Sequence, residues 1–286
     1  MNVQLVVVPY DSGHRGARMG AGPERLLAAG IERAIVEDGN QVQTTLVALP
    51  RDSWTSEIGT GFELMRRVSA VITASPDSLP VILAGNCSTT IGAVAAHSEP
   101  LTGIAWFDAH GDFNTPDTTT SGFLDGTALS AVVGRSWREL ALTVPGFRPL
   151  PEECVCMIGA RDLDPAEKDL LSRSGVMLVG AADIRAGLPR AIASMSERTT
   201  SIHVHIDLDV LDASVARANS YAVGGGLTLE DMEFALALIG RELRIAGVTL
   251  SAYDPAGDSD GRAAAAAMRL VLAALRAVQR KSLDRT

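Results

Sequence analysis

Several things are scarce in this sequence, and each absence excludes something. Aromatic residues are only 4% of its 286 residues. The three cysteines are an odd number and do not form the pattern of a disulfide framework. No apolar run approaches ~20 residues, so no transmembrane helix is expected. The opening, Met1-Asn2-Val3-Gln4-Leu5, lacks the basic-then-apolar layout of a signal peptide. Basic residues are outnumbered, 25 Lys and Arg against 34 Asp and Glu, and they do not cluster, which argues against a nucleic-acid partner. No linker rich in Pro, Gly or Ser divides the chain, so residues 1–286 read as a single domain. A cytoplasmic protein with a small-molecule partner, no membrane and no nucleic acid fits these absences. Monomer and homo-oligomer are not distinguished.

What is present is a regular alternation. Short runs rich in Val, Ile and Leu occur at 3–8, 44–49, 79–84, 103–107, 154–158, 176–179, 201–206 and 245–250. Continuous apolar strands of this kind are buried on both faces, as in a parallel sheet. Between them, helices are predicted at 23–38, 57–74, 88–97, 165–174, 188–197, 229–243 and 262–279. Pro23 and Pro165 suit a first helical turn, and Thr228 with Asp231 resembles a capping pattern. The fold class is therefore α/β, a three-layer αβα architecture around a mainly parallel sheet of about eight strands. In such sheets function lies at the carboxyl ends of the strands.

Two acidic clusters fall at such ends. The first is Asp108-Ala109-His110-Gly111-Asp112-Phe113-Asn114, following an apolar strand. Alternation along an extended backbone would turn Asp108, His110 and Asp112 to one side. The second is His203-Val204-His205-Ile206-Asp207-Leu208-Asp209-Val210-Leu211-Asp212. Carboxylates forced together repel and raise one another's pKa, and two divalent cations would neutralise them. Carboxylate with imidazole favours Mn²⁺, and two ions roughly 3.5–4 Å apart activate a shared water. His203 and His205 read as core histidines, with a supporting role behind the ligands as the alternative. Cys154 and Cys156 read as packing, and Gly224-Gly225-Gly226 as a turn close to the site.

In combination and order, Asp108-Ala109-His110-Gly111-Asp112-Phe113-Asn114 and Asp207-Leu208-Asp209-Val210-Leu211-Asp212 resemble the signatures of the ureohydrolases, the arginase and agmatinase family. The likeness runs from Gly20-Ala21-Gly22-Pro23 to Asp254-Pro255. The resemblance implies an arginase-like fold, two Mn²⁺ ions, and attack on a guanidino carbon by hydroxide bridging them. It places Asp108 and Asp207 between the ions, His110 and Asp209 on one and Asp112 on the other, with Asp112 also aiming the nucleophile. Asn114, Thr119 and Ser121 match positions that hold a substrate α-carboxylate. Asp164, with Asp162 and Glu167, matches the segment that receives its α-ammonium. From the residues alone, Asp164 before Pro165 is equally a helix N-cap.

Three positions depart from the family pattern. Cys87, in Ala84-Gly85-Asn86-Cys87-Ser88, stands where a metal-binding histidine is expected. It is either a thiolate ligand, which would make six metal ligands with Asp108, His110, Asp112, Asp207 and Asp209, or a small buried apolar side chain. Asp125 replaces a histidine assigned to proton shuttling, and is itself a candidate proton donor. Ala252 replaces a glutamate that faces the guanidinium. Together these losses favour a less basic guanidine. The expected reaction is hydrolysis of Nω-hydroxy-L-arginine to hydroxyurea and L-ornithine, as in the branch of the family serving D-cycloserine biosynthesis. The alternatives are an arginase- or agmatinase-type enzyme acting on another guanidino compound, and a catalytically dead arginase-like regulator.

Overall fold

Buried strands and amphipathic helices alternate along the chain because its apolar runs alternate in period. A computed structural model describes residues 1–50, 54–97 and 102–283. The strands are β1 (Asn2–Val8), β2 (Gln41–Leu46), β3 (Leu79–Ala84), β4 (Thr102–Phe107), β5 (Val155–Ile158), β6 (Met177–Val179), β7 (Ser201–Asp207) and β8 (Arg244–Ser251). They form one sheet in the order β2-β1-β3-β8-β7-β4-β5-β6, every pairing parallel. A two-stranded antiparallel hairpin, Tyr10–Asp11 with His14–Arg15, lies outside it.

The helices are α1 (Gly22–Ala28), α2 (Ile31–Glu37), α3 (Glu57–Thr73), α4 (Thr90–Ala95), α5 (Ala128–Val132), α6 (Arg138–Ala141), α7 (Pro165–Ser172), α8 (Ile184–Ser196), α9 (Leu229–Glu242) and α10 (Arg262–Leu283). Strand alternation sorts their partners. Val3, Leu5, Val7, Ala105, Phe107, Ile202, Val204 and Ile206 pack against α1, α2, α8, α9 and α10. Ile104, Trp106, Val155 and Met157 turn the other way, toward α3, α4, α5 and α7. This is the expected three-layer αβα fold. The capping pattern of Thr228 holds too: its hydroxyl accepts the Asp231 N–H at 3.1 Å and opens α9.

Three boundaries differ from expectation. Residues 23–38 form two helices, because Gly30 at φ 93° adopts a left-handed conformation that ends the first. The second strand spans Gln41–Leu46 rather than 44–49. It is an edge strand, paired only with β1, so polar residues serve it and the apolar-run criterion misplaces it. Helix α8 starts before Leu188 and runs through Pro189, supported by buried Ile184, Leu188, Ile192 and Met195.

The topology sets the site. The four central strands, β3, β8, β7 and β4, are far apart in sequence yet adjacent in the sheet. Their carboxyl ends lead directly into Cys87, Ala252, Asp207 and Asp108. Sequence-distant side chains thus meet where the crossovers reverse, the usual place for an α/β ligand site.

Candidate metal centre and substrate pocket

A cavity of 320 Å³ opens at these strand ends, lined by Cys87, His110, Asp112, Asp125, Asp207, Asp209 and Ala252 among others. Asp207 is the last residue of β7. Its Oδ1 accepts the Asp209 N–H at 2.8 Å, and its Oδ2 accepts a hydrogen bond from Cys87 Sγ at 3.0 Å. The 3₁₀ turn Leu208–Val210 folds Asp209 back beside it. Asp108 follows β4 and is held by Trp106, whose indole Nε1–H donates to Oδ2 at 3.0 Å. His110 Nδ1 lies 3.4 Å from both Asp108 Oδ1 and Asp209 Oδ2.

The extended alternation expected for Asp108, His110 and Asp112 does not occur. The strand ends at Phe107, and Asp112 has φ 49°. Asp112 reaches the cavity through a left-handed backbone, which residues other than glycine adopt at a cost that is smaller for Asp than for most. Ala252 is also left-handed, at φ 63°. Two such residues flanking one cavity fit the clustering of backbone strain at functional sites.

The electrostatics call for a cation. Burial first, then the neighbouring carboxylates, push Asp112 and Asp207 well above the usual carboxylate range, and Asp209 is raised as well. Cys87 is pushed well up, by burial and then by Asp207, Asp112, Asp125 and Asp108. Burial opposes both charges of the Asp108–His110 pair. Even so, their mutual attraction holds Asp108 low and raises His110 to about 9. Asp112 Oδ2 is buried without a hydrogen-bond partner among the described residues. Divalent cations would relieve all of this, so the donor set fits a metal centre. Among the described residues, two triads have donor atoms within 4.8 Å of one another: Asp108, His110 and Asp209; and Cys87, Asp108 and His205. Asp112 and Asp207 line the same cavity outside these triads.

Asp125 is buried, and burial raises it to about 6. Its oxygens accept from Asn86 Nδ2 at 2.6 Å, Cys87 N at 3.0 Å and Ser88 N at 3.0 Å. It therefore fastens the segment carrying Cys87.

The predicted substrate residues border the same cavity. Asn114 is buried, and its Nδ2 donates to Asp164 Oδ2 at 3.1 Å. Thr119 and Ser121 lie at the mouth on an exposed loop whose backbone they brace. Asp162 is exposed, 3.9 Å from His110 Nε2. Glu167 faces inward, accepting the Phe113 N–H at 2.8 Å and the Asp164 N–H at 3.3 Å, and burial raises it to about 7. Gly111 is required beside it, since an added Cβ would stand 2.4 Å from the Glu167 carboxyl carbon.

Sequence reasoning missed two supports. The Arg161 guanidinium donates to the carbonyls of Gly159, Asp209, Val210, Leu211, Val223 and Gly224, and so locks the Asp209 turn to the glycine-rich loop. Asn219 Nδ2 donates to Asp209 Oδ2 at 3.2 Å and to the Ala252 carbonyl at 2.8 Å. Asn219 carries no periodicity or charge signal, and the charge of Arg161 does not reveal in sequence that backbone carbonyls are its partners. Removing a hydrogen-bonded support of this kind typically weakens metal affinity ~10–100-fold. Asn219→Ala is expected to lose Mn²⁺ affinity by about that factor, and to melt lower after chelation as well, because the Ala252 carbonyl and the Tyr221 N–H lose their partner. Calorimetric titration with Mn²⁺ checks it, and unaltered affinity would remove Asn219 from the site.

Comparison with known proteins agrees with this geometry. A model of the arginase family matches residues 1–276. An arginase of Brevibacillus brevis is 31% identical, covering 83% of this chain and 85% of its own. An arginase of Bacillus caldovelox is 28% identical over 94% of this chain and 96% of its own. The crystal structure of an arginase from Bacillus cereus superposes with a TM-score of 0.86 at 25% identity, covering 96% of this chain and 98% of that one.

Proposed function

Because the chain belongs to the arginase family, whose members are metal-dependent hydrolases of C–N bonds in linear amidines, we propose that it hydrolyses the N-hydroxyguanidino group of Nω-hydroxy-L-arginine. Water adds to the guanidino carbon, the bond to the side-chain Nδ breaks, and that nitrogen leaves protonated as ornithine. The other product is hydroxyurea. The observation that carries the substrate assignment is the pocket wall at Ala252: a methyl group, with no carboxylate, stands where the family resemblance places a glutamate facing the guanidinium. A hydroxylated, less basic guanidine needs that anion less.

Two divalent ions, proposed to be Mn²⁺, supply Lewis acidity and a water of lowered pKa when bound. Asp108, His110, Asp209, Asp112, Asp207 and Cys87 would hold them. Asp112 orients the attacking water through its unpaired Oδ2. Asn114, Thr119 and Ser121 hold the α-carboxylate, and Asp164, with Asp162 and Glu167 beside it, the α-ammonium. Asp125 is assigned to positioning, because its oxygens are engaged by three N–H donors of residues 86–88. The leaving nitrogen then takes its proton from the substrate hydroxyl or from solvent.

The test is turnover of Nω-hydroxy-L-arginine, L-arginine and agmatine by the Mn²⁺-loaded protein and by Asn114→Ala. Nω-Hydroxy-L-arginine should be preferred over L-arginine by at least ~10²-fold in kcat/KM, the scale set by one desolvated polar contact. Asn114→Ala should depress turnover of the two amino acids and spare any agmatine turnover, since agmatine has no carboxylate. Equal or better use of L-arginine would overturn the substrate assignment. No turnover of any substrate with two ions verified would favour a regulator.

A further inference from the structure

Position 87 offers a thiol where the family resemblance expects an imidazole, and another imidazole lies directly against that corner. His205 stands two residues before Asp207 on β7, on the same face of the strand, and is fully buried. Strand register sets it between Trp106 of β4 and Thr249 of β8. Its ring stacks on the Trp106 indole with centroids 3.7 Å apart and an interplanar angle of 22°. Nδ1 lies 2.8 Å from the Thr90 hydroxyl on α4. Nε2 is buried and has no hydrogen-bond partner among the described residues. A ring nitrogen of His205, Cys87 Sγ and an Asp108 carboxylate oxygen all lie within 4.8 Å of one another.

A buried nitrogen left unpaired costs about 1–3 kcal/mol. An apolar ring would stack on Trp106 without that cost, so packing alone does not explain the histidine. Donor atoms about 2.0–2.3 Å from one tetrahedral cation lie roughly 3.3–3.8 Å from one another. The triad, already within 4.8 Å on every side, needs at most a side-chain adjustment on the order of 1 Å to close on an ion.

We propose that His205 is a metal ligand at the Cys87 corner, supplying from β7 the imidazole that position 87 lacks, in a nitrogen–sulfur–oxygen triad with Cys87 and Asp108. The inference rests on the two-metal reading of the site. Thr90 accepts the Nδ1 hydrogen and so fixes the tautomer that leaves the Nε2 lone pair free. Trp106 orients two members of the triad, stacking on His205 and donating Nε1–H to Asp108 Oδ2 at 3.0 Å. Ser251 Oγ, 3.2 Å from Cys87 Sγ, steadies the third. A thiolate and an imidazole make this corner softer than the Asp108–His110–Asp209 triad, so it should prefer Co²⁺ or Zn²⁺ where the other accepts Mn²⁺.

The experiment is Co²⁺ titration of the apoprotein, followed by calorimetry and by the thiolate-to-cobalt charge-transfer band. The wild type should bind two ions and develop the band, and Cys87→Ser should lose the band. His205→Phe keeps the stack on Trp106 and removes both nitrogens. It should bind one ion normally and the other at least ~10-fold more weakly, with the band reduced. Wild-type constants and an unchanged band in His205→Phe would overturn the role of His205 and leave the two-metal reading intact. A wild type that binds fewer than two ions would overturn that reading itself. X-ray absorption on the zinc-loaded wild type needs no variant. It should count one imidazole per ion on average, from His110 and His205, and half that number contradicts the proposal.

Discussion

Asp207→Ala is expected to lower kcat/KM by at least ~10³-fold, about 4 kcal/mol of transition-state stabilisation. The side chain is bound on both sides, Oδ1 by the Asp209 N–H and Oδ2 by Cys87 Sγ, so its loss loosens the Asp209 turn and the Cys87 corner together. It is also the residue proposed to touch both ions. The fold should tolerate the change. Burial and neighbouring charges raise Asp207 well above its ordinary range, so its charge opposes folding when no cation is present. Asp207→Asn should therefore match or exceed the wild type in melting temperature after chelation, while failing to gain stability from Mn²⁺. Activity assays and thermal melts with and without the ion test this pair of expectations. A variant with near-normal turnover would remove Asp207 from the centre.

Chelation should produce the largest change in stability, and its size should depend on pH. Each ion at ~1,000 times its dissociation constant adds about 4 kcal/mol, so two sites shift the melting temperature by roughly 10 °C or more for a chain of this size. Without ions, Asp125 at about 6, Glu167 at about 7 and His110 at about 9 all have raised folded-state values. A raised group contributes stability that is fully present below its unfolded pKa and lost as pH climbs through the folded value. For the two carboxyls that loss runs from about pH 4 to 7, and for His110 it continues to about 9. The chelated protein should therefore weaken steadily from pH 5 to pH 9. Metal binding requires the same groups, or their neighbours, to be deprotonated, so the stabilisation by Mn²⁺ should grow over that interval. Melting curves at pH 6 and pH 8, with chelator or with Mn²⁺, should diverge as pH rises. Curves that superimpose at pH 8 would refute the metal centre.

Particular residues mark how far the sequence could be read. Asp108, His110, Asp207 and Asp209 were legible as candidates because two acidic clusters directly follow apolar strands, a chemistry and a position both written in the local sequence. Asp112 was placed correctly at the cavity for the wrong local reason: its backbone is left-handed, and no alternation in sequence encodes that. Asp125 was legible as a departure from the family pattern, but its hydrogen bonds to Asn86, Cys87 and Ser88 cross 37–39 positions. Arg161 and Asn219 were invisible as supports because their partners are backbone carbonyls and a distant carboxylate.

The sequence by itself determined the layered α/β class, the parallel sheet and the two acidic strand ends, because hydrophobic period and residue chemistry are local properties. Only the tertiary structure decided which ends become neighbours, that Asp125 clasps the Cys87 segment, and that His205 lies against Cys87 and Asp108. Those outcomes follow from strand order and crossover direction, which bring together side chains as far apart as Cys87 and Ser251.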